Sequence, residues 1–173
     1  AFAGLMNERA ARIGCTGSHF VNPNGLHDDD HYVTARDMAL ISREALKDET
    51  FRKVTGTQTY TIPSTNLRED PIELSSKHQI LMYSDVHDDA CIGGKTGWTE
   101  KANSTLVTFM DKNDMTLICV VLDNHSNTVY TDTIHALDYC YDSYTRGSID
   151  AAAQDMADTA QPGSSDQASA DIM

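Results

Sequence analysis

Apolar residues, many of them β-branched, form two neighbouring runs, Ser104-Thr-Leu-Val-Thr-Phe-Met110 and Met115-Thr-Leu-Ile-Cys-Val-Val-Leu122. The polar segment Asp111-Lys112-Asn113-Asp114 joins them, so the pattern predicts an antiparallel hairpin, with Leu106, Ile118 and Val120 buried. The first third of the chain has helical spacing instead. Phe2, Leu5, Met6, Ala10 and Ile13 fall on one helical face and Gly14 ends it. Pro23 and the Asn24-Gly25 pair then dictate a turn. Met38, Ile41, Ala45 and Leu46 give a second helix its buried stripe; Thr34 opens it with Asp37 three residues later, a variant of the capping box. Asp48 to Val54 predicts one or two more helical turns. Gln58 to Ile62 reads as a short strand ended by Pro63, and residues 63–92 as loop. After the hairpin, Tyr130, Ile134, Leu137, Tyr141 and Tyr144 recur at helical spacing, which predicts an amphipathic helix capped by Ser126 or Asn127 and covering one face of the sheet. From Ser148 onward the chain is Ala, Asp, Gln and Ser with Pro162-Gly163. Such a segment cannot offset its ordering entropy, and 148–173 is expected to be a disordered tail or linker.

Length sets one domain plus that tail, since 173 residues suffice to bury about two-thirds of the unfolded surface. The formal net charge of −13 argues against nucleic acid or an anionic membrane as partner, because both need a basic face. No apolar run is long enough for a membrane span, and the opening Ala-Phe-Ala-Gly-Leu-Met lacks the basic start of a signal peptide. The first helix begins without a capping residue, and the chain is expected to be a piece of a longer protein. The four cysteines form no Cys-x-x-Cys pair; Cys119, inside an apolar run, reads as a small core residue.

Just before the hairpin stands Gly93-Gly94-Lys95-Thr96-Gly97-Trp98-Thr99. A Lys-Thr-Gly tripeptide arises by chance in roughly a few per cent of chains this long, but its place beside a hairpin puts it on a strand. That is one signature of penicillin-binding proteins and serine β-lactamases, alongside Ser-x-x-Lys and a Ser-x-Asn-type motif. The run from Met6-Asn7 through Ala10, Ile13-Gly14-Cys15, Ser18, Phe20 and Asn22-Pro23 to Gly25-Leu26 is similar to one typical of the low-molecular-mass penicillin-binding proteins, the serine-type D-alanyl-D-alanine carboxypeptidases. Thr34-Ala-Arg-Asp37 resembles that family's next helix start, and Gly93 to Tyr144 its closing strands and last helix. The resemblance covers about residues 1–147.

The resemblance implies an α/β (α+β) fold, part of a β-lactamase/transpeptidase-like domain: helices over about 1–56, then an antiparallel sheet over about 57–147 with a C-terminal packing helix. It implies acyl transfer on peptidoglycan stem peptides ending in D-Ala-D-Ala, β-lactams as inhibitors of the complete enzyme, no cofactor, and an extracytoplasmic place of action. Lys95 would lend positive potential to the pocket, and Thr96 would hold the terminal carboxylate. Gly97 would let the peptide approach as an added edge strand, and the Trp98 N–H would complete an oxyanion hole. Thr99 would add a second hydroxyl; Lys77 stands where some members place a basic residue, and reads equally as a solvated lysine.

Two parts of the family's pattern are missing. No serine is followed three residues later by lysine; the nearest imitation, Ser143-x-x-Arg146, offers a guanidinium that cannot act as a base. Ser64-Thr65-Asn66 follows the Met-Asn helix, whereas the family's Ser-x-Asn precedes it, and is read as a coincidence in a polar loop. The nucleophile is therefore expected upstream, and this chain alone is expected to be inactive. A non-catalytic wall-peptide binding module of the same fold is the alternative. His27-Asp28-Asp29-Asp30-His31 has metal-binding residue types but reads as a solvated loop, so no metal site is assigned. His125-Ser126 with a nearby aspartate lacks a positioned serine and is set aside.

Overall fold

The computed structural model describes residues 1–125 and 128–151. Three helices come first, α1 (Phe2–Arg12), α2 (Ala35–Ala45) and α3 (Glu49–Thr55). A two-stranded sheet follows, β1 (Thr59–Ile62) with β2 (Ile72–Ser75). The chain then builds a three-stranded sheet from β3 (Cys91–Thr99), β4 (Asn103–Lys112) and β5 (Met115–Asn124), and ends its main elements with α4 (Val129–Ser143). All pairs are antiparallel and the order is β3-β4-β5. The fold is α+β, helices followed by antiparallel strands and a packing helix, as the sequence predicts.

The larger sheet buries both faces. Leu106, Thr108 and Met110 alternate onto one of them, where Met110 packs with Ile80, Leu81, Cys91 and Leu137 of α4. Val107 and Phe109 stand on the other, and the Phe51 ring of α3 meets Phe109 at 6.1 Å. Leu106 is buried as expected. Ile118 and Val120, paired with Phe109 and Val107, lie on the opposite face and are only half-buried, because β5 is an outer strand. The hairpin turn narrows to Asn113 and Asp114, at φ 57° and 58°. Two consecutive left-handed residues make a turn whose twist matches that of the strands, and Asn and Asp tolerate that conformation.

Several details depart from the sequence reading. Thr34 caps α2 by accepting from Asp37 N at 3.1 Å, but the Asp37 carboxylate does not return to the Thr34 amide. It is buried and accepts instead from Gly17 N at 2.7 Å and Ser18 Oγ at 2.8 Å, while Thr34 N donates to Ser18 Oγ. The half-completed capping box thus pins the turn before it. Met38, Ile41, Ala45 and Leu46 are half-buried, and the fully buried positions of α2 are Asp37 and Ser42. On α1 the apolar face is open: Phe2 and Leu5 are 61% and 58% exposed, and Ala10 is the one buried residue.

The stretch 63–92 is not all loop, since β2 pairs Tyr60 with Leu74 and Ile62 with Ile72. The residue at the N-cap of α4 is Thr128; Ser126 and Asn127 lie outside the described residues. Tyr144 ends α4 half-exposed and outside its buried stripe. Residues 146–151 form a helical turn, opened by Thr145 and Ser148, each hydroxyl accepting from the other's backbone N–H. This turn extends to residue 151, and the rest of the expected tail, 152–173, lies outside the described residues.

Candidate active-site groove

β3 is an outer strand of its sheet. Its Lys95, Thr96 and Gly97 pair on one side with Val107, Leu106 and Thr105 of β4, and among the described residues no strand pairs with the other edge. Beside this strand opens a groove of about 470 Å³, walled by Lys77, by Lys95 to Trp98 of β3, by Ser104 to Leu106 of β4, and by Val129 and Tyr130 of α4. Five of the six residues singled out from the sequence thus meet in one place. Thr99 is not among the lining residues; its hydroxyl accepts from Ala102 N at 2.9 Å and braces the β3–β4 turn.

Two lysines line this groove in a protein of net charge −13, and no Asp or Glu is among its lining residues. The Lys95 ammonium donates to the Thr96 carbonyl, which holds the charge along the strand. Trp98 is 72% exposed and lines the groove. Gly97 has a reason in the structure beyond an open edge: a Cβ there would come 2.5 Å from Thr105 Oγ1 across the strand pair. A positively charged, edge-open strand with a hydroxyl beside it can add an extended peptide and attract its C-terminal carboxylate.

Behind the groove lies a residue that the sequence reading passed over. His78 is 1% exposed; its Nδ1 accepts from Leu81 N at 3.3 Å, so Nε2 carries the proton and donates to Thr108 Oγ1 at 2.9 Å. Burial lowers its pKa from the ordinary 6.5, with hydrogen bonds to the Val107 and His78 backbone opposing, and the ring is neutral. Tyr130 belongs to the apolar stripe of its helix by spacing, yet its hydroxyl donates to the Lys77 carbonyl at 2.9 Å. No periodicity marks a histidine that is buried by contacts made across the fold.

The other sequence candidates do not assemble. His27 approaches Asp29 at 3.4 Å and His31 Nδ1 accepts from Val21 N, and among the described residues no three His, Cys, Asp or Glu side chains converge as a metal site. His125 lies 3.3 Å from Asp123, both exposed, and Asp123 also accepts from Asn103. No described helix is long and apolar enough to cross a membrane.

Residues 1–126 match the sequence profile of the peptidase family described as D-alanyl-D-alanine carboxypeptidase. The D-alanyl-D-alanine carboxypeptidase DacF of Bacillus subtilis is 34% identical over 124 residues, which are 69% of this chain and 29% of that protein. DacC of Escherichia coli is 32% identical over 123 residues, 70% of this chain and 28% of its own length. Among solved structures, the Streptomyces K15 DD-transpeptidase superposes with a TM-score of 0.72 at 29% identity, covering 80% of this chain and 53% of that one. The Mycobacterium tuberculosis D-alanyl-D-alanine carboxypeptidase shares the fold, with a TM-score of 0.64 at 23% identity over 79% of this chain and 52% of that one. The chain therefore spans under a third of these curated relatives and about half of the solved structures. With that profile matched across most of its length, and with helices and antiparallel strands arranged as in those structures, the chain belongs to the D-alanyl-D-alanine carboxypeptidase family of low-molecular-mass penicillin-binding proteins.

Proposed function

We propose that this chain is the substrate-holding part of a serine-type D-Ala-D-Ala carboxypeptidase that acts on peptidoglycan stem peptides in the cell envelope. The observation that carries the proposal is the groove beside the outer strand β3, where Lys95, Thr96 and Lys77 meet in a chain of this family. The peptide adds to β3 as an extended strand. Lys95 and Lys77 supply positive potential for its terminal carboxylate, the Thr96 hydroxyl donates to it, and Gly97 leaves the strand accessible. The Trp98 N–H is one donor to the oxyanion that forms at the scissile carbonyl.

The nucleophile in this reading is a serine in a Ser-x-x-Lys motif on sequence upstream of Ala1, with a Ser-x-Asn motif between. It rests on two facts: no Ser-x-x-Lys occurs in the 173 residues, and the chain covers only about half of its solved relatives. The serine oxygen bonds to the carbonyl carbon of the penultimate D-Ala. The C–N bond to the terminal D-Ala breaks, and the serine's proton passes through the lysine to the leaving amine. Water then hydrolyses the acyl-enzyme. β-Lactams acylate the same serine and bind the complete enzyme as inhibitors.

The test is labelling with a fluorescent penicillin. A protein extended upstream from the native gene is expected to label covalently, and its Lys95→Ala variant at least roughly 10²-fold more slowly, as when an oxyanion or anchoring group is lost. The lack of a Ser-x-x-Lys in the chain favours a second reading, a non-catalytic module that binds wall peptides on the same strand. An extended protein that binds a D-Ala-D-Ala peptide but never labels would establish that reading and sink the first.

A further inference from the structure

We infer that His78 and Tyr130 form a rigid bracket that sets the position of Lys77 relative to Lys95, and that they thereby act as positioning residues for recognition of a C-terminal carboxylate in the groove. The inference rests on the carboxypeptidase reading above and deepens it. Lys77 lies on the loop that follows β2, a segment with no strand or helix of its own to fix it. Its neighbour His78 is sunk into the sheet and is held at both ring nitrogens, by Leu81 N and by the Thr108 hydroxyl of β4. The ring lies directly against the residue before Lys95. A Cβ on Gly94 would come 2.5 Å from its Nε2 and 2.6 Å from its Cδ2, so the strand carries glycine where the imidazole presses on it.

α4 closes the bracket from the other side. The Tyr130 ring meets the His78 ring edge-on, with centroids 6.1 Å apart and planes at 75°. Its hydroxyl donates to the Lys77 carbonyl at 2.9 Å, while the same side chain helps to line the groove. The backbone at Lys77 is thus tied to β4 through one residue and to α4 through another. A lysine on a free loop would lose rotamer and backbone freedom each time it met a carboxylate. On this bracket the backbone part of that loss is already met by folding, so the gain on binding is larger.

The prediction separates positioning from general support. In the complete protein, turnover of a tripeptide ending in D-Ala-D-Ala is compared with turnover of the same peptide ending in a carboxamide. The wild type prefers the carboxylate. Tyr130→Phe keeps the ring and removes only the bond to Lys77, and is expected to shrink that preference about 3- to 10-fold, through KM more than kcat. His78→Leu should do the same, and His78→Gln, whose amide nitrogen reaches the place of Nε2 and can donate to the Thr108 hydroxyl, should restore most of it. Thermal unfolding identifies a variant that fails to fold; if His78→Leu does, Tyr130→Phe still decides. An unchanged preference in folded Tyr130→Phe, or equal losses on both peptides, overturns the bracket and leaves the carboxypeptidase reading standing. A wild type inactive on both peptides overturns both.

Discussion

At the scale of single residues, two buried ionisable groups set how this domain answers to acid. His78 is neutral when folded, because burial lowers its pKa below 6.5, whereas in the unfolded chain it takes up a proton near that value. Stability is therefore full above pH 6.5 and falls as pH drops from there through the lower folded value. His78→Asn should remove this first loss in pH-dependent denaturation curves of the complete protein; an unaltered curve would contradict it. Asp37 acts lower on the scale. Desolvation raises its pKa, but hydrogen bonds from Gly17, Ser18, Thr16 and Thr34 outweigh that and leave it below 3.8. Its contribution is present above that value and is lost as pH falls through the folded one. Gly94 makes a steric prediction. A methyl group there would meet the Val107 carbonyl at 2.3 Å and the His78 ring, so Gly94→Ala should destabilise by about 1–3 kcal/mol in urea titrations.

At the scale of elements, the hairpin of β4 and β5 is the part whose sequence and structure agree most closely. Its pattern is period two, its turn is polar, and the turn residues are of the types that accept left-handed backbone. Asp114, at φ 58°, sits where a two-residue turn of this hand favours glycine. Asp114→Gly should therefore raise stability by roughly 0.5 kcal/mol, and Asp114→Val lower it by about 1–2 kcal/mol, each measured by thermal unfolding. Opposite signs would mean that the turn is of another kind. The helix starts agree less well. Thr34 does what its sequence suggests, while Asp37 turns away from the helix to hold the Gly17–Ser18 turn, which relies on contacts some 20 residues distant.

At the scale of the whole molecule, one edge of β3 is unpaired among the described residues and the apolar face of the first helix is uncovered. Phe2 and Leu5 project from α1, and the solved relatives carry about as much chain again. An upstream portion that covers this face and brings a serine to the Lys95 strand would serve both needs. The 173-residue chain by itself is expected not to label with a fluorescent penicillin, because no serine in it has a lysine at the required spacing. Labelling of this chain at a defined serine would show that a nucleophile of another kind lies within it.

The sequence by itself determined the α+β class, the helix–strand order and the Lys95-Thr96-Gly97 strand, because periodicity, turn chemistry and a short motif are local properties written in consecutive residues. It also pointed to Lys77 and Trp98, which line the groove, and to Thr99, which does not. Only the tertiary structure decided that β2 pairs with β1, that Asp37 is a buried anchor, and that His78 and Tyr130 hold Lys77 in place. Each of these depends on partners far away in the chain: Thr108 for His78, Lys77 for Tyr130, Gly17 and Ser18 for Asp37. A polar residue becomes buried and directional only when the fold supplies a donor or acceptor to meet it, and no pattern of neighbouring residues encodes that meeting.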